Sequence, residues 1–283
     1  MPILRSTFST PAPPRAVAGA LLDAELARRV AALVADMTVP TEANGFLASG
    51  DEVDFAIRLL PGIRLRTRVL RIGTDGMSTT LVAGPLPRLR HKVEITETAH
   101  GSRVDESLEW VSPLGLLGWL IDSVAARRLA SRVLRERVRA LRARSEELAA
   151  APVVVGAALV RDRELLAQQR SYPAEHAGQW ELPGGRVEPG ETDKAALVRE
   201  CREELGVEIV AGEQIGPDIP LHNGMVLRVL SATLADPNAE PVAHDHHAVR
   251  WLRAPDLGTV PWLPADRVLV HDLRQLLTRQ RSA

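Results

Sequence analysis

Glu200, Glu203 and Glu204 fall within five consecutive positions, with Arg199 directly before them and Glu191 a short distance upstream. Two carboxylates about 5 Å apart repel by roughly 3 kcal/mol at an effective dielectric near 20, so the cluster needs a compensating positive charge. A hard divalent ion held by oxygen ligands is the natural candidate. A solvated acidic helix face is the plainer reading, and the local sequence can be asked which applies. Thr192, after Gly190 and Glu191, is a good N-cap, and Gly206 supplies a left-handed stop, so a helix is predicted over residues 193–205. At 100° per residue, Leu197, Val198, Cys201 and Leu205 share one stripe and Glu200, Glu203 and Glu204 are expected on the opposite side.

Length and composition bound what surrounds this helix. The chain has 283 residues, 45% of them apolar, which suffices for two cores. A net charge of −1 gives no general attraction to nucleic acid polymers or anionic membranes. One cysteine excludes an intrachain disulfide and fits a reducing cytoplasm, and Cys201 reads as core. The apolar run 16–22 is short and is followed by Asp23, Glu25, Arg28 and Arg29, unlike a signal peptide, while the longest apolar run, 113–121, is too short for a bilayer. A cytoplasmic protein is expected.

The small residues and proline of 145–152 mark a boundary, giving domains 1–150 and 151–283. In the second, strands are predicted at 153–161, 165–170, 208–210, 226–234 and 248–252, with a last helix over 266–279.

The order Gly185, five residues, Glu191, seven residues, Arg199-Glu200, an apolar residue, any residue, Glu203-Glu204, any residue, Gly206, an apolar residue matches the Nudix hydrolase signature throughout. Average residue usage makes a chance match improbable, on the order of one in a million. Within that superfamily the second half resembles MutT-like nucleoside triphosphate pyrophosphohydrolases, especially the type that prefers cytidine nucleotides. The residues carrying this likeness are Gly178-Gln179-Trp180-Glu181-Leu182-Pro183-Gly184-Gly185, Ile219-Pro220-Leu221-His222-Asn223-Gly224, Asp245-His246 and Trp262-Leu263-Pro264-Ala265-Asp266-Arg267.

The resemblance implies a mixed-sheet α/β/α sandwich that cleaves a triphosphate between its α and β phosphates, releasing a monophosphate and pyrophosphate. It implies that Mg²⁺, or Mn²⁺, is held by Glu200, Glu203, Glu204 and the Gly184 carbonyl, with Asp245 as a further ligand or base. Glu191 and Arg199 brace the box, framed by Gly185 and Gly206; Arg170 meets substrate phosphate, and Asn223 and Asp266 lie at the substrate. An ionised Asp266 accepts only, which suits the exocyclic amine of cytosine and favours CTP, dCTP or 5-methyl-dCTP over 8-oxo-dGTP; it also sits where it could simply cap the last helix. A zinc reading of His244 to His247 is disfavoured, because adjacent strand residues point to opposite faces and no cysteine lies nearby.

In the first half a short strand at 4–9 precedes one or two helices over 17–37. Period-two stretches at 53–57, 63–72, 78–82, 92–98 and 104–111 predict an antiparallel meander, and a long helix spans 114–148. Gly84-Pro85, Arg90-His91, Gly101-Ser102-Arg103-Val104-Asp105 and Pro113-Leu114-Gly115-Leu116-Leu117-Gly118 resemble the helix-grip fold of the START/polyketide-cyclase-like (SRPBCC) superfamily. That likeness implies an apolar cavity for a hydrophobic small molecule. His91 reads as structural, and the arginine-rich end of the long helix as a solvated face rather than a nucleic-acid surface, since no aromatics interleave. The fold class expected is α+β in two domains. The oligomeric state is left open, and a catalytically silent nucleotide sensor coupled to a hydrophobic-ligand domain is the competing function.

Overall fold

The computed structural model describes residues 3–40, 45–58, 62–111, 127–244 and 246–279, which divide into two units, 1–150 and 151–283. The first unit begins with β1 (Ile3–Thr10), α1 (Pro14–Leu22) and α2 (Ala24–Ala31). Then come β2 (Ala35–Thr38), β3 (Glu52–Ile57), β4 (Arg64–Gly73), β5 (Gly76–Ala83), β6 (Arg88–Thr98), β7 (Gly101–Val111) and α3 (Arg127–Ala149). The strands form one antiparallel sheet in the order β1-β7-β6-β5-β4-β3-β2.

The stretch 17–37, expected to hold one or two helices, holds two and departs only at its end. Asp23 separates them, its carboxylate accepting the amides of Glu25 and Leu26 at 3.0 Å to cap α2. Residues 35–38 pair with β3, burying Ala35 and Met37 while Asp36 and Thr38 face out. Four residues are too few for that alternation to outweigh the helical period before them.

The described part of the long helix buries Leu134, Leu141 and Leu148 at seven-residue spacing and packs against α1, α2 and β1. Its predicted opening turns, with the Pro113 to Gly118 motif, lie outside the described residues. Most of its arginines are exposed, as expected of a solvated face, but two turn inward. Arg137 reaches the buried Glu106 at 2.6 Å, and Arg144 reaches Asp23 at 3.0 Å. Glu106 also meets His91 Nε2 at 2.5 Å, giving that histidine a structural partner. Burial acts to raise the Glu106 carboxyl, but Arg137 and His91 outweigh it and hold it at about 2.

The second unit runs β8 (Val153–Arg161), β9 (Glu164–Gln169), β10 (Trp180–Glu181), α4 (Asp193–Leu205), β11 (Ile209–Pro220), β12 (Val226–Leu234), β13 (Ala248–Arg253), a 3-10 turn (Asp256–Gly258) and α5 (Pro264–Arg279). The sheet order is β10-β9-β8-β12-β11, with β13 added along β9; β8 and β12 are parallel and the other pairs antiparallel. Both faces of β8 are buried. Val155, Ala157 and Leu159 join a core with Ala196, Leu197, Cys201 and Leu205 of α4, while Gly156, Ala158 and Val160 alternate to the other side. α5 packs on β9 and β11. β11 continues to Pro220 rather than stopping near 210, because register shifts after Ala211 and Ile215 interrupt the alternation that would have revealed it. Among the described residues no helix is long and apolar enough to cross a membrane.

Candidate functional site

α4 has the predicted bounds. Thr192 caps it by accepting the Ala195 amide at 3.2 Å, and Gly206 ends it at φ +67°. Glu203 opposes the buried stripe as expected, but Glu204 does not. Glu203 is exposed, whereas Glu204 lies only 20° from Leu197 on an ideal helical wheel and turns inward beside the core. There its Oε2 accepts the Gln168 side-chain amide and the Gly184 backbone amide, each at 2.9 Å. Burial raises the Glu204 carboxyl above the ordinary range, and those two donors offset part of that rise.

The glycines are fixed by the sheet. β8 and β9 pair only at Val160–Leu165 and Arg161–Glu164, and beyond that residues 183–187 occupy the freed edge of β8. Val155 N–H donates to the Gly185 carbonyl at 2.8 Å, Ala157 N–H to the Pro183 carbonyl at 2.7 Å, and Val187 N–H to the Val153 carbonyl at 3.0 Å. At Gly184, φ is +150° and a Cβ would stand 2.0 Å from the Val155 carbonyl oxygen, so only glycine fits. At Gly185 a Cβ would stand 2.3 Å from a Glu200 carboxylate oxygen, which places that carboxylate directly over the turn.

Arg199 supplies the counter-charge. Its Nε and Nη2 grip Glu191 at 3.1 and 3.0 Å, its Nη1 reaches Glu200 at 2.9 Å and Glu203 at 3.3 Å, and Nη2 also donates to the Arg186 carbonyl at 2.9 Å. The guanidinium holds the Glu191 carboxyl below its usual range. With Glu200 and Glu203 turned to Arg199, no three His, Cys, Asp or Glu side chains among the described residues stand together as a metal-holding group. The donor chemistry nevertheless fits a hard cation. Three carboxylates and a glycine turn whose next Cβ would fill the Glu200 cradle offer only oxygen.

At the end of β9, Arg170 Nη1 donates to Glu181 Oε2 at 2.7 Å, and the other Glu181 oxygen lies 2.9 Å from His246 Nε2. Asp266 is 4% exposed in the first turn of α5, and its Oδ1 accepts the Leu182 amide at 3.0 Å. Burial first, and the negative charge of Glu181 second, push the Asp266 carboxyl up to about 8. Asp266 is therefore largely protonated near neutrality, and the acceptor-only argument for cytosine does not hold. A neutral carboxyl offers one donor and one acceptor, which suits cytosine N3 and N4 and guanine N1 and O6 alike.

Asn223 sits in the exposed turn between β11 and β12, where its Oδ1 accepts the Met225 amide at 3.2 Å. Asp245 lies outside the described residues. His244 and His246 do not converge: His244 Nδ1 is 3.0 Å from the Glu203 carbonyl oxygen, while His246 turns to Glu181.

The sequence reading missed one buried ion cluster. Arg228 grips the fully buried Asp218 with two hydrogen bonds of 2.9 and 2.8 Å and reaches Asp193 of α4 at 2.7 Å, tying the first turn of α4 to the sheet. A lone charge in the apolar run of β12 was the available signal.

The sequence pattern of the NUDIX domain matches residues 150–273. A putative 8-oxo-dGTP diphosphatase 2 of Mycobacterium tuberculosis is 45% identical over 128 residues, which cover 44% of this chain and 89% of the relative. The CTP pyrophosphohydrolase of Escherichia coli is 37% identical over 118 residues, 42% of this chain and 87% of the relative. The solution structure of the E. coli ORF135 protein is 33% identical, covering 47% of this chain and 94% of that one at a TM-score of 0.40. With the box complete and almost the whole length of such relatives matched, the chain belongs to the Nudix family and is a Nudix hydrolase through its second unit.

Proposed function

We propose that the second unit hydrolyses nucleoside triphosphates between the α and β phosphates to a monophosphate and pyrophosphate. What supports this reading is the complete acidic box, with Glu200, Glu203 and Glu204 on one helix beside a glycine turn stitched to β8; with the Gly184 carbonyl they would make an all-oxygen donor set. Those residues would hold Mg²⁺ or Mn²⁺, with Asp245 as a further ligand; such an ion would supply positive charge to the phosphate oxygens and acidify the attacking water. Arg199 and Glu191 keep Glu200 and Glu203 in place, and Arg170 binds substrate phosphate. Relatives named for 8-oxo-dGTP and CTP support two base classes, oxidised guanine and cytidine, and a neutral Asp266 accommodates either.

Full-length protein with Mg²⁺ should release pyrophosphate and monophosphate from at least one member of a panel containing CTP, dCTP, 5-methyl-dCTP and 8-oxo-dGTP. Glu203→Gln should lower kcat by roughly a hundredfold or more while leaving the fold intact. If no triphosphate in the panel yields pyrophosphate, the reading is wrong. For the first unit we propose the helix-grip architecture, supported by its antiparallel sheet and terminal helix, with a hydrophobic small molecule as its ligand.

A further inference from the structure

Glu181 carries one carboxylate with two claims on it. Its side chain is 13% exposed, and the two oxygens are divided, Oε2 to Arg170 Nη1 at 2.7 Å and Oε1 to His246 Nε2 at 2.9 Å. The backbone beneath is clamped on every side. Trp180 N–H donates to the Pro261 carbonyl and the Trp180 carbonyl accepts from Leu263 N–H, both at 2.8 Å; Leu182 N–H is held by Asp266, and β10 pairs with β9 at Gln168 and Gln169.

The partners lie where rigidity matters. Arg170 also donates from Nε to the Tyr172 carbonyl at 3.1 Å, so its guanidinium is fixed at two corners with Nη2 uncommitted among the described residues. On the other side, the segment around His246 is fastened by His244 N–H to the Glu204 carbonyl at 3.0 Å and by His247 N–H to the Gln169 carbonyl at 2.8 Å. Glu181 adds a side-chain fastening between those two. An unheld arginine loses several rotatable bonds' worth of freedom when it grips a phosphate, whereas one already aimed loses little.

We propose that Glu181 is a positioning residue for triphosphate binding: it presents Arg170 to the substrate, so removing it weakens substrate capture more than turnover. This rests on the reading of the second unit as a triphosphate pyrophosphohydrolase. A purely electrostatic role predicts the reverse, since deleting a carboxylate beside a polyanion site would tighten binding.

The test measures KM and kcat of the full chain with Mg²⁺ and the best triphosphate of the panel, for wild type, Glu181→Ala, Glu181→Gln, Arg170→Ala and the Glu181→Ala/Arg170→Ala double variant. Glu181→Ala should raise KM roughly tenfold with kcat changed less than about threefold. Glu181→Gln, which keeps an oxygen for Arg170, should recover most of that loss, and the double variant should be no worse than Arg170→Ala. An unchanged or lower KM in Glu181→Ala, or effects that multiply in the double variant, would overturn the proposal. The Arg170 Nη1–H signal in ¹⁵N NMR, from the group that Glu181 holds, gives a readout independent of activity. It should be sharp and slow to exchange in wild type and Glu181→Gln and lost in Glu181→Ala; persistence in Glu181→Ala would overturn the proposal. If wild type hydrolyses no triphosphate, the functional reading fails and the NMR comparison still decides whether Glu181 holds Arg170.

Discussion

Replacing Asp266 by Asn tests the physical reading of the substrate end of the site. The folded protein holds the Asp266 proton up to about 8, against an ordinary value of 3.8, because the carboxyl is buried and faces the charge of Glu181. The folded state therefore keeps a proton that the unfolded chain releases, and stability falls as pH rises through that window. Each pH unit within that window is worth about 1.4 kcal/mol, so by pH 7 the wild type should have lost on the order of 4 kcal/mol that Asp266→Asn does not lose. The variant keeps an amide oxygen for the Leu182 N–H, so the hydrogen bond survives while the ionisation disappears. Urea unfolding followed through NMR signals of α4 isolates the second unit. Between pH 5 and 8 the stability difference, variant minus wild type, should climb by about 1.4 kcal/mol per pH unit and flatten above 8. A difference that stays constant with pH, or that favours the wild type as pH rises, would refute the reasoning.

Other outcomes follow from particular contacts. Gly185→Ala sets a methyl 2.3 Å from the Glu200 carboxylate, so kcat should drop by roughly tenfold to a hundredfold with little loss of thermal stability, since a flexible side-chain end can move aside. Asp218→Ala leaves Arg228 buried without its bidentate partner and should cost about 3–5 kcal/mol in urea unfolding of the second unit. In the first unit, Glu106 at about 2 lies below its ordinary 4.5, so its contribution is present above pH 4.5 and fades as pH falls to 2. Acid titration of the α3 signals should show a loss of about 3 kcal/mol that is absent in Glu106→Gln. Residues 151–283 expressed alone should match the full chain in kcat/KM within about threefold, because the contacts that build the box are made within that unit.

What the sequence disclosed depended on how local its physics was. The bounds of α4 were readable because a cap, an apolar stripe and a left-handed glycine all lie within one turn of its ends. β11 was cut short because bulges erased its period, and β2 was absorbed into a helix because four residues cannot carry one. The acidic cluster was evident, but the inward turn of Glu204 required Gln168, thirty-six positions away, to supply a donor. The ionisation of Asp266 was misread for a related reason: its burial depends on how α5 meets the strand at Trp180 to Glu181, which residue types do not record. Glu181 passed as one letter of a motif until its two cationic or imidazole neighbours were in place.

Arg199 has a consequence for how this molecule endures scarcity. Because its guanidinium already lies against Glu191, Glu200 and Glu203, part of the repulsion along the acidic rib is offset from within, without an ion from the medium. The divalent ion proposed above would have to win Glu200 and Glu203 from that resident rival. Exhaustive treatment with EDTA should thus silence the protein and leave its melting temperature nearly where it was.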